Sequence, residues 1–179
     1  MHTITYSKLT RENFNLYSLD NFIRYQITKE SWRKVDSQLV LVPNDYIEDW
    51  DLNKRRYVAK KILDVIDQNG IAYGAFNQGD IIGDICLGST RFGSHNQYIE
   101  LAMFHVSEPF RKQGVGRTLF KLACDDIKNL GVAKLYLSAN SAKESILAYR
   151  KLGCVEALEI NHEIAQNEPF DIQMEYKLY

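Results

Sequence analysis

The chain has 179 residues and a mass of 20.7 kDa, with 45% hydrophobic and 25% charged residues. One compact core fits that size, and a chain of this length buries roughly 70% of its unfolded surface, which excludes a small scaffold stapled by disulfides or metal. Only 3 prolines and no low-complexity tail exclude a disordered or fibrous class, and a formal net charge of -1 leaves no field to recruit nucleic acid. The three cysteines, Cys86, Cys124 and Cys154, are odd in number, widely spaced and set in apolar stretches, as expected of buried thiols in a reducing compartment. The start, Met1-His2-Thr3-Ile4-Thr5-Tyr6, lacks the basic flank and apolar run of a signal peptide, and no apolar run reaches about 18 residues. The expectation is one domain over residues 1–179, cytoplasmic and away from membranes.

Residues 3 to 9 alternate weakly as a first strand. Thr10 then offers an N-cap with Asn13 at the capping-box position, predicting a short helix through Leu16 and Phe22. From Ser31 to Trp50 periodicity is lost and Pro43-Asn44-Asp45 is turn chemistry, so this stretch reads as irregular. After a cap at Asp51 or Asn53, Val58, Ile62, Val65 and Ile66 share one helical face, and Asn69-Gly70 ends the helix. Ile71 to Phe76 and Ile81 to Leu87 are strands joined by the turn Asn77-Gln78-Gly79-Asp80, and Tyr98 to Val106 is a third. Leu119, Phe120, Ala123, Ile127 and Leu130 mark a helix from about 115 to 129 that stops at Gly131. Ala133 to Ser138 is a strand, Lys143 to Leu152 a short helix, and Cys154 to Ile160 and Ile172 to Leu178 closing strands. Hairpins around one β-α-β unit predict an α/β mixed sheet, because the crossover makes its two strands parallel while hairpins are antiparallel.

The segment Arg111-Lys112-Gln113-Gly114-Val115-Gly116 joins a strand to a helix start. Glycines there permit a tight turn and close approach of an anion to free N–H groups, where the helix dipole also favours negative charge. The same spacing also arises in a turn that uses glycine only for positive φ. It matches neither the dinucleotide fingerprint nor the P-loop.

Arg111, Gly114 and Gly116 resemble the signature Arg/Gln-x-x-Gly-x-Gly/Ala that follows the fourth strand of the GNAT acyltransferase superfamily. A second feature of that family, a small-residue helix with a tyrosine followed by Lys-x-Gly, is similar to Ser145-Ile146-Leu147-Ala148-Tyr149-Arg150-Lys151-Leu152-Gly153-Cys154. The detailed likeness covers about residues 97 to 160, and the first 70 residues match in outline. It implies a mostly antiparallel sheet of about seven strands, with helices on both faces and a β-α-β unit binding CoA. It also implies acetyl-CoA as acetyl donor, its pyrophosphate on the turn formed by Arg111, Lys112, Gln113, Gly114, Val115, Gly116, Arg117 and Thr118. The pantetheine arm would lie along the strand backbone at Phe104 and Val106. Many relatives carry Asn where this chain has Ala142, so Asn140 or Ser141 is the expected substitute in contacting pantetheine. Gly153-Cys154 replaces the commoner Gly-Phe.

Aminolysis of a thioester needs a neutral amine, a stabilised oxyanion and a proton for the leaving thiolate. Tyr149 matches the family's general acid, and a phenol with an ordinary pKa near ~10 stays protonated at neutral pH. Glu100, eleven residues before Arg111, matches a position used by some members for a water-mediated base. Both also fit bland roles, Tyr149 as a packed ring and Glu100 as the polar side of a strand. A backbone N–H near Phe104 is the implied oxyanion donor. No two Cys or His stand at zinc-ligand spacing, so no metal is expected, and His105 reads as a structural residue.

Glu30, Asp36, Asp45, Glu48, Asp49 and Asp51 accompany Trp32, Tyr46, Trp50 and Tyr57, a combination suited to a cationic amine or to a solvated loop anchored by aromatics. The expected function is N-acetylation of a primary amine of a small molecule. A protein or peptide amine as acceptor, and a non-catalytic CoA-binding regulatory module, stand as alternatives. Pairing of sheet edges into a homodimer is left open.

Overall fold

The computed structural model describes residues 3–179, and Met1 and His2, which belong to the expected leaderless start, lie outside them. The strands are β1 (Thr5–Lys8), β2 (Tyr25–Val35), β3 (Gln38–Asp49), β4 (Ile71–Asn77), β5 (Asp80–Phe92), β6 (Tyr98–Val106), β7 (Lys134–Ala139), β8 (Val155–Glu156) and β9 (Ile172–Lys177). The helices are α1 (Leu52–Asp67), α2 (Val115–Asn129), α3 (Lys143–Leu152) and α4 (His162–Asn167). Seven strands form a sheet in the order β1-β4-β5-β6-β7-β9-β8, and β2 pairs with β3 in a separate ribbon. Among the described residues only β6 and β7 are parallel. This is the mixed, mostly antiparallel sheet that the hairpin and crossover pattern predicts.

Two cores lie on its two faces. On one, Val115, Leu119, Phe120, Ala123, Cys124 and Ile127 of α2 meet Ile85, Leu87, Ile99, Leu101, Leu135 and Leu137 of the sheet, joined by Ile146 of α3. On the other, Val58, Ala59, Ile62 and Leu63 of α1 meet Ala72, Ile81 and Cys86, with Leu9, Phe14, Leu19, Phe22 and Trp50 closing the edge. Each such aliphatic or aromatic side chain contributes about 1.5–3 kcal/mol on full burial, so these two stripes hold the helices in place. Asp51 caps α1 as expected, its carboxylate accepting from the Lys54 amide at 2.7 Å.

Three expectations are corrected. The stretch through Leu16 and Phe22 is a series of turns, not a helix. Asn13 Oδ1 accepts from the Thr10 amide, Ser18 Oγ from the Asn15 amide and Asn15 Oδ1 from the Tyr17 amide, so short polar side chains take the backbone groups a helix would need.

The stretch 31 to 50 is not irregular, because most of it lies in the β2–β3 ribbon. Asp36 and Ser37 turn it with φ of 47° and 66°, the left-handed pair that suits a two-residue hairpin. The register shifts between Thr28 and Glu30, and Pro43 sits opposite Glu30 at that irregularity, where its missing N–H does least harm. The bulge and the proline together erase the alternation a strand shows in sequence.

The closing strand over Cys154–Ile160 shrinks to Val155–Glu156. Asn161 then caps α4 by accepting from the Ile164 amide at 3.1 Å, which draws the chain away from the sheet edge before β9 begins.

Candidate active site between β6 and β7

The parallel pair is short. β6 and β7 pair only at Tyr98–Lys134, Ile99–Leu135 and Glu100–Tyr136, after which β6 runs on from Leu101 to Val106 with no β7 partner. On its other side β6 follows β5, but Cys86 pairs with Met103 and Leu87 with Leu101, so Ala102 is an extra residue. A bulge of this kind leaves its residue out of the ladder and bends the strand. Its effect on the faces is visible. Ile99 and Leu101 face the α2 core before it and Phe104 and Val106 after it, while Met103 packs against the α1 core. The result is a wedge that opens toward the carboxyl ends of β6 and β7, with unpaired backbone from the bulge onward along one wall.

At the end of β6 the chain passes the 3-10 turn Glu108–Phe110 and reaches α2. Lys112 and Gly114 take φ of 61° and 86°, so the chain turns tightly ahead of the helix. Gly114 is the N-cap of α2 and makes no side-chain cap bond, leaving the first-turn N–H groups of Val115, Gly116 and Arg117 for an anion. A Cβ at Gly114 would meet nothing within 4 Å, so its glycine serves the backbone angle and the open approach. Gly116 differs, since a Cβ there would stand 3.3 Å from the Phe104 ring and 3.5 Å from Val106, which lets α2 lie close to β6. Lys112 and Arg117 are exposed at the rim. The Gln113 amide is engaged locally with the Pro109 carbonyl at 2.8 Å, and Thr118 Oγ1 donates to the Gly114 carbonyl at 3.2 Å.

The Arg111 side chain is engaged with backbone on both sides of the turn. Its Nε donates to the Val106 carbonyl at 3.0 Å and its Nη1 to the Tyr25 carbonyl at 2.8 Å, while Nη2 is buried without a partner. The guanidinium therefore ties the end of β6 to the start of β2, and the Val106 carbonyl is already taken. At the far end of the wedge, the Trp32 amide donates to the Ser141 carbonyl at 2.8 Å and Ser31 forms a β-bridge with Ala142. β2 thus crosses the mouth of the wedge from β6 to the start of α3. Asn140 is also committed locally, its Oδ1 accepting from the Ala142 amide at 2.9 Å and from the Tyr46 hydroxyl at 3.2 Å.

Tyr149 projects from α3 one turn after the buried Ile146, and its ring packs against Phe104 with centroids 6.2 Å apart. Burial drives its phenol well above the ordinary range, the neighbouring Cys154 and Asp171 push the same way, and Arg24 opposes them. Glu100 lies on the opposite face of β6 from Leu101, level with Tyr136, and burial raises its carboxyl. Beyond it a polar chain lines β7 and β9. The Tyr136 hydroxyl donates to Gln173 at 2.7 Å, the Gln173 amide to Ser138 Oγ at 2.8 Å, and Ser138 to Asp171 at 3.3 Å. Burial pushes the Asp171 carboxyl up to about 6, with the Glu168 charge adding to it. Sequence reading passed over Asp171, Ser138 and Gln173, since separated polar residues on two strands and a loop carry no motif.

Several of the acidic residues between 30 and 51 have partners within the chain, while Asp36 and Asp49 stand exposed. Glu48 pairs with Arg24 at 2.8 Å and accepts from the indole of Trp50 at 3.0 Å, Asp45 pairs with Lys29 at 2.7 Å, Glu30 with Lys143, and Asp51 caps α1. Trp50 is buried against Phe22 and His105. His105 in turn donates or accepts through Nδ1 with the buried Asp84 at 3.1 Å.

β6 and β7 thus part beyond a bulge, and the uncapped, glycine-started α2 follows at the end of β6. The model of the acetyltransferase (GNAT) family matches residues 25–154, and the chain belongs to that family. Nourseothricin acetyltransferase superposes with a TM-score of 0.72 at 17% identity, over 98% of this chain and 99% of that one. A Bacillus anthracis str. Ames protein assigned as a streptothricin acetyltransferase, in complex with acetyl coenzyme A, gives 0.66 at 19% identity over 97% and 96%. The PaiA N-acetyltransferase of Thermoplasma acidophilum, in complex with coenzyme A, gives 0.63 at 19% over 98% and 99%. These likenesses speak for the fold. No curated protein matches the chain in a sequence search.

Proposed function

We propose that this chain, acting as one domain, transfers the acetyl group of acetyl-CoA to a primary amine of a small molecule by direct attack. The observation that supports this reading is the wedge itself, with the uncapped first turn of α2 at one end, Tyr149 packed on Phe104 of β6 and Glu100 at the last β6–β7 pair before the strands part. The pyrophosphate would rest on the N–H groups of residues 113–117, and pantetheine amides would pair with the unpaired edge of β6 from Phe104 toward the bulge. The residues present fit that group: the first turn of α2 has no side-chain cap and open space at Gly114.

Glu100, its proton affinity raised by burial, takes a proton as carboxylate from the acceptor's ammonium through water, and the neutral amine so formed attacks the thioester carbon. A backbone N–H at the bulge beside Phe104 faces the developing oxyanion, and Tyr149, held protonated by its burial, donates to the departing thiolate. The crossing of β2 over the mouth of the wedge favours a small acceptor over a folded protein. The neighbours' complexes with acetyl coenzyme A and coenzyme A support the donor. Buried free thiols at Cys86, Cys124 and Cys154 support a cytoplasmic setting, and among the described residues no helix is long and apolar enough to cross a membrane.

Of the three carboxylates that would select a cationic acceptor, Glu48 is paired with Arg24 and Asp51 caps α1, which leaves Asp49, exposed on β3, as the one to support that idea. The test is titration of acetyl-CoA by calorimetry, then thiol release with a panel of primary amines. Binding with amine-stimulated release is expected. Binding with no release by any amine would favour the regulatory module, and no binding would remove the reading altogether.

A further inference from the structure

β2 is anchored at two points, Tyr25 through Arg111 on the β6 side and Ser31–Trp32 through Ser141 and Ala142 on the α3 side. Thr28 lies midway between them. It has no solvent exposure, whereas the adjacent Ile27 is half exposed, so its side chain is turned toward the body of the molecule under the span. The two anchors stand on either side of the wedge, one at the end of β6 and one between β7 and α3. The Thr28 hydroxyl, Oγ1, is buried and has no hydrogen-bond partner. Its near neighbour Ser31 is also buried, but its hydroxyl accepts from Asn44 at 3.0 Å, so the ribbon satisfies one hydroxyl and leaves the other.

A buried hydroxyl without a partner destabilises a fold, and nearly every one in a native protein is satisfied by protein, water or ligand. The β2 crossing holds this one between the end of β6 and the start of α3, the two sides of the wedge in which, on the acetyltransferase reading, the acceptor meets the thioester. We propose that Thr28 holds the attacking nitrogen, its Oγ1 accepting a hydrogen bond from the acceptor's N–H and so aiming the amine's lone pair at the thioester carbon. This deepens the acetyltransferase reading and rests on it. Thr28 binds substrate in this scheme and exchanges no proton with it. Glu100 and Tyr149 keep those tasks.

The experiment compares wild type with Thr28→Val, which keeps shape and loses the hydroxyl, and Thr28→Ser, which keeps it. Spermidine and phenylethylamine are the probe amines. Thiol release gives kcat and the KM of each substrate, calorimetry gives amine binding to the CoA-loaded protein, and thermal unfolding gives Tm. Thr28→Val is expected to lower kcat/KM for the amine roughly tenfold, to weaken amine binding in parallel, and to leave acetyl-CoA affinity unchanged, with Tm unchanged or raised. Thr28→Ser should retain most activity. A merely structural hydroxyl would instead lower Tm, and that result overturns the proposal, as does unaltered amine kcat/KM or a loss confined to acetyl-CoA affinity. Absence of amine binding and release in wild type would overturn both this proposal and the acetyltransferase reading. Wild-type release with a fully active Thr28→Val would overturn only this one.

Discussion

Arg111 donates from Nε to the carbonyl of Val106 at 3.0 Å, so the first residue of the family signature closes the end of β6 with its own side chain. Its second bond, to the Tyr25 carbonyl, makes the anion turn and the β2 crossing one mechanical unit. Disturbing either end of this arginine should therefore be felt in the unliganded protein.

Arg111→Met removes two hydrogen bonds from a half-buried guanidinium and is expected to lower unfolding stability by about 2–3 kcal/mol without ligand. Chemical denaturation of the unliganded protein measures it. Unchanged stability with weakened acetyl-CoA binding would mean that Arg111 serves the phosphates alone.

Tyr149→Phe keeps the ring against Phe104 and removes the proton donor. The expected outcome is a fall in kcat of about 10²-fold or more with nearly unchanged acetyl-CoA affinity, because donation to the thiolate matters in the transition state. Steady-state kinetics beside calorimetry separates the two quantities, and an unaltered kcat would remove Tyr149 from the mechanism.

Glu100 must be ionised to accept a proton, and burial raises its carboxyl. The wild-type kcat/KM should therefore fall as pH drops through that raised value, beginning at higher pH than for an exposed glutamate. Glu100→Gln is expected to be about 10²-fold slower near neutrality and to lose this acid limb. A pH–rate profile that keeps the same limb in the variant would assign the limb to another group.

Asp171 bears on stability rather than rate. Its folded pKa, pushed up to about 6 from an ordinary 3.8, lies above the unfolded value, so the folded state holds the proton more tightly. Between those values the unfolded state binds fewer protons, so this group lowers stability as pH rises through the window. Subtracting the Asp171→Asn profile from the wild type should show that decline, up to ~3 kcal/mol complete above about pH 6. Parallel profiles for the two proteins would show that Asp171 is not held in this way.

Much of this protein is determined by the chain read as a string. The α1 and α2 stripes, the hairpin at Asn77–Asp80, the Asp51 cap and the turn at Gly114 all rest on contacts between residues close in sequence, so periodicity and turn chemistry suffice for them. The Arg111-x-x-Gly114-x-Gly116 turn and the helix bearing Tyr149 are legible for the same reason. What tertiary structure decided is how distant pieces meet. A bulge at Ala102 depends on two strands slipping past each other by one residue, and a ribbon carrying Pro43 becomes β-sheet only because its two strands pair with each other. The acidic run from Glu30 to Asp51 looks like a cation site until Arg24, Lys29 and Lys143 are seen to neutralise much of it. Asp171 and Thr28 carry no signal of their own, since their importance lies in burial, and burial is a property of the packed chain rather than of any residue in it.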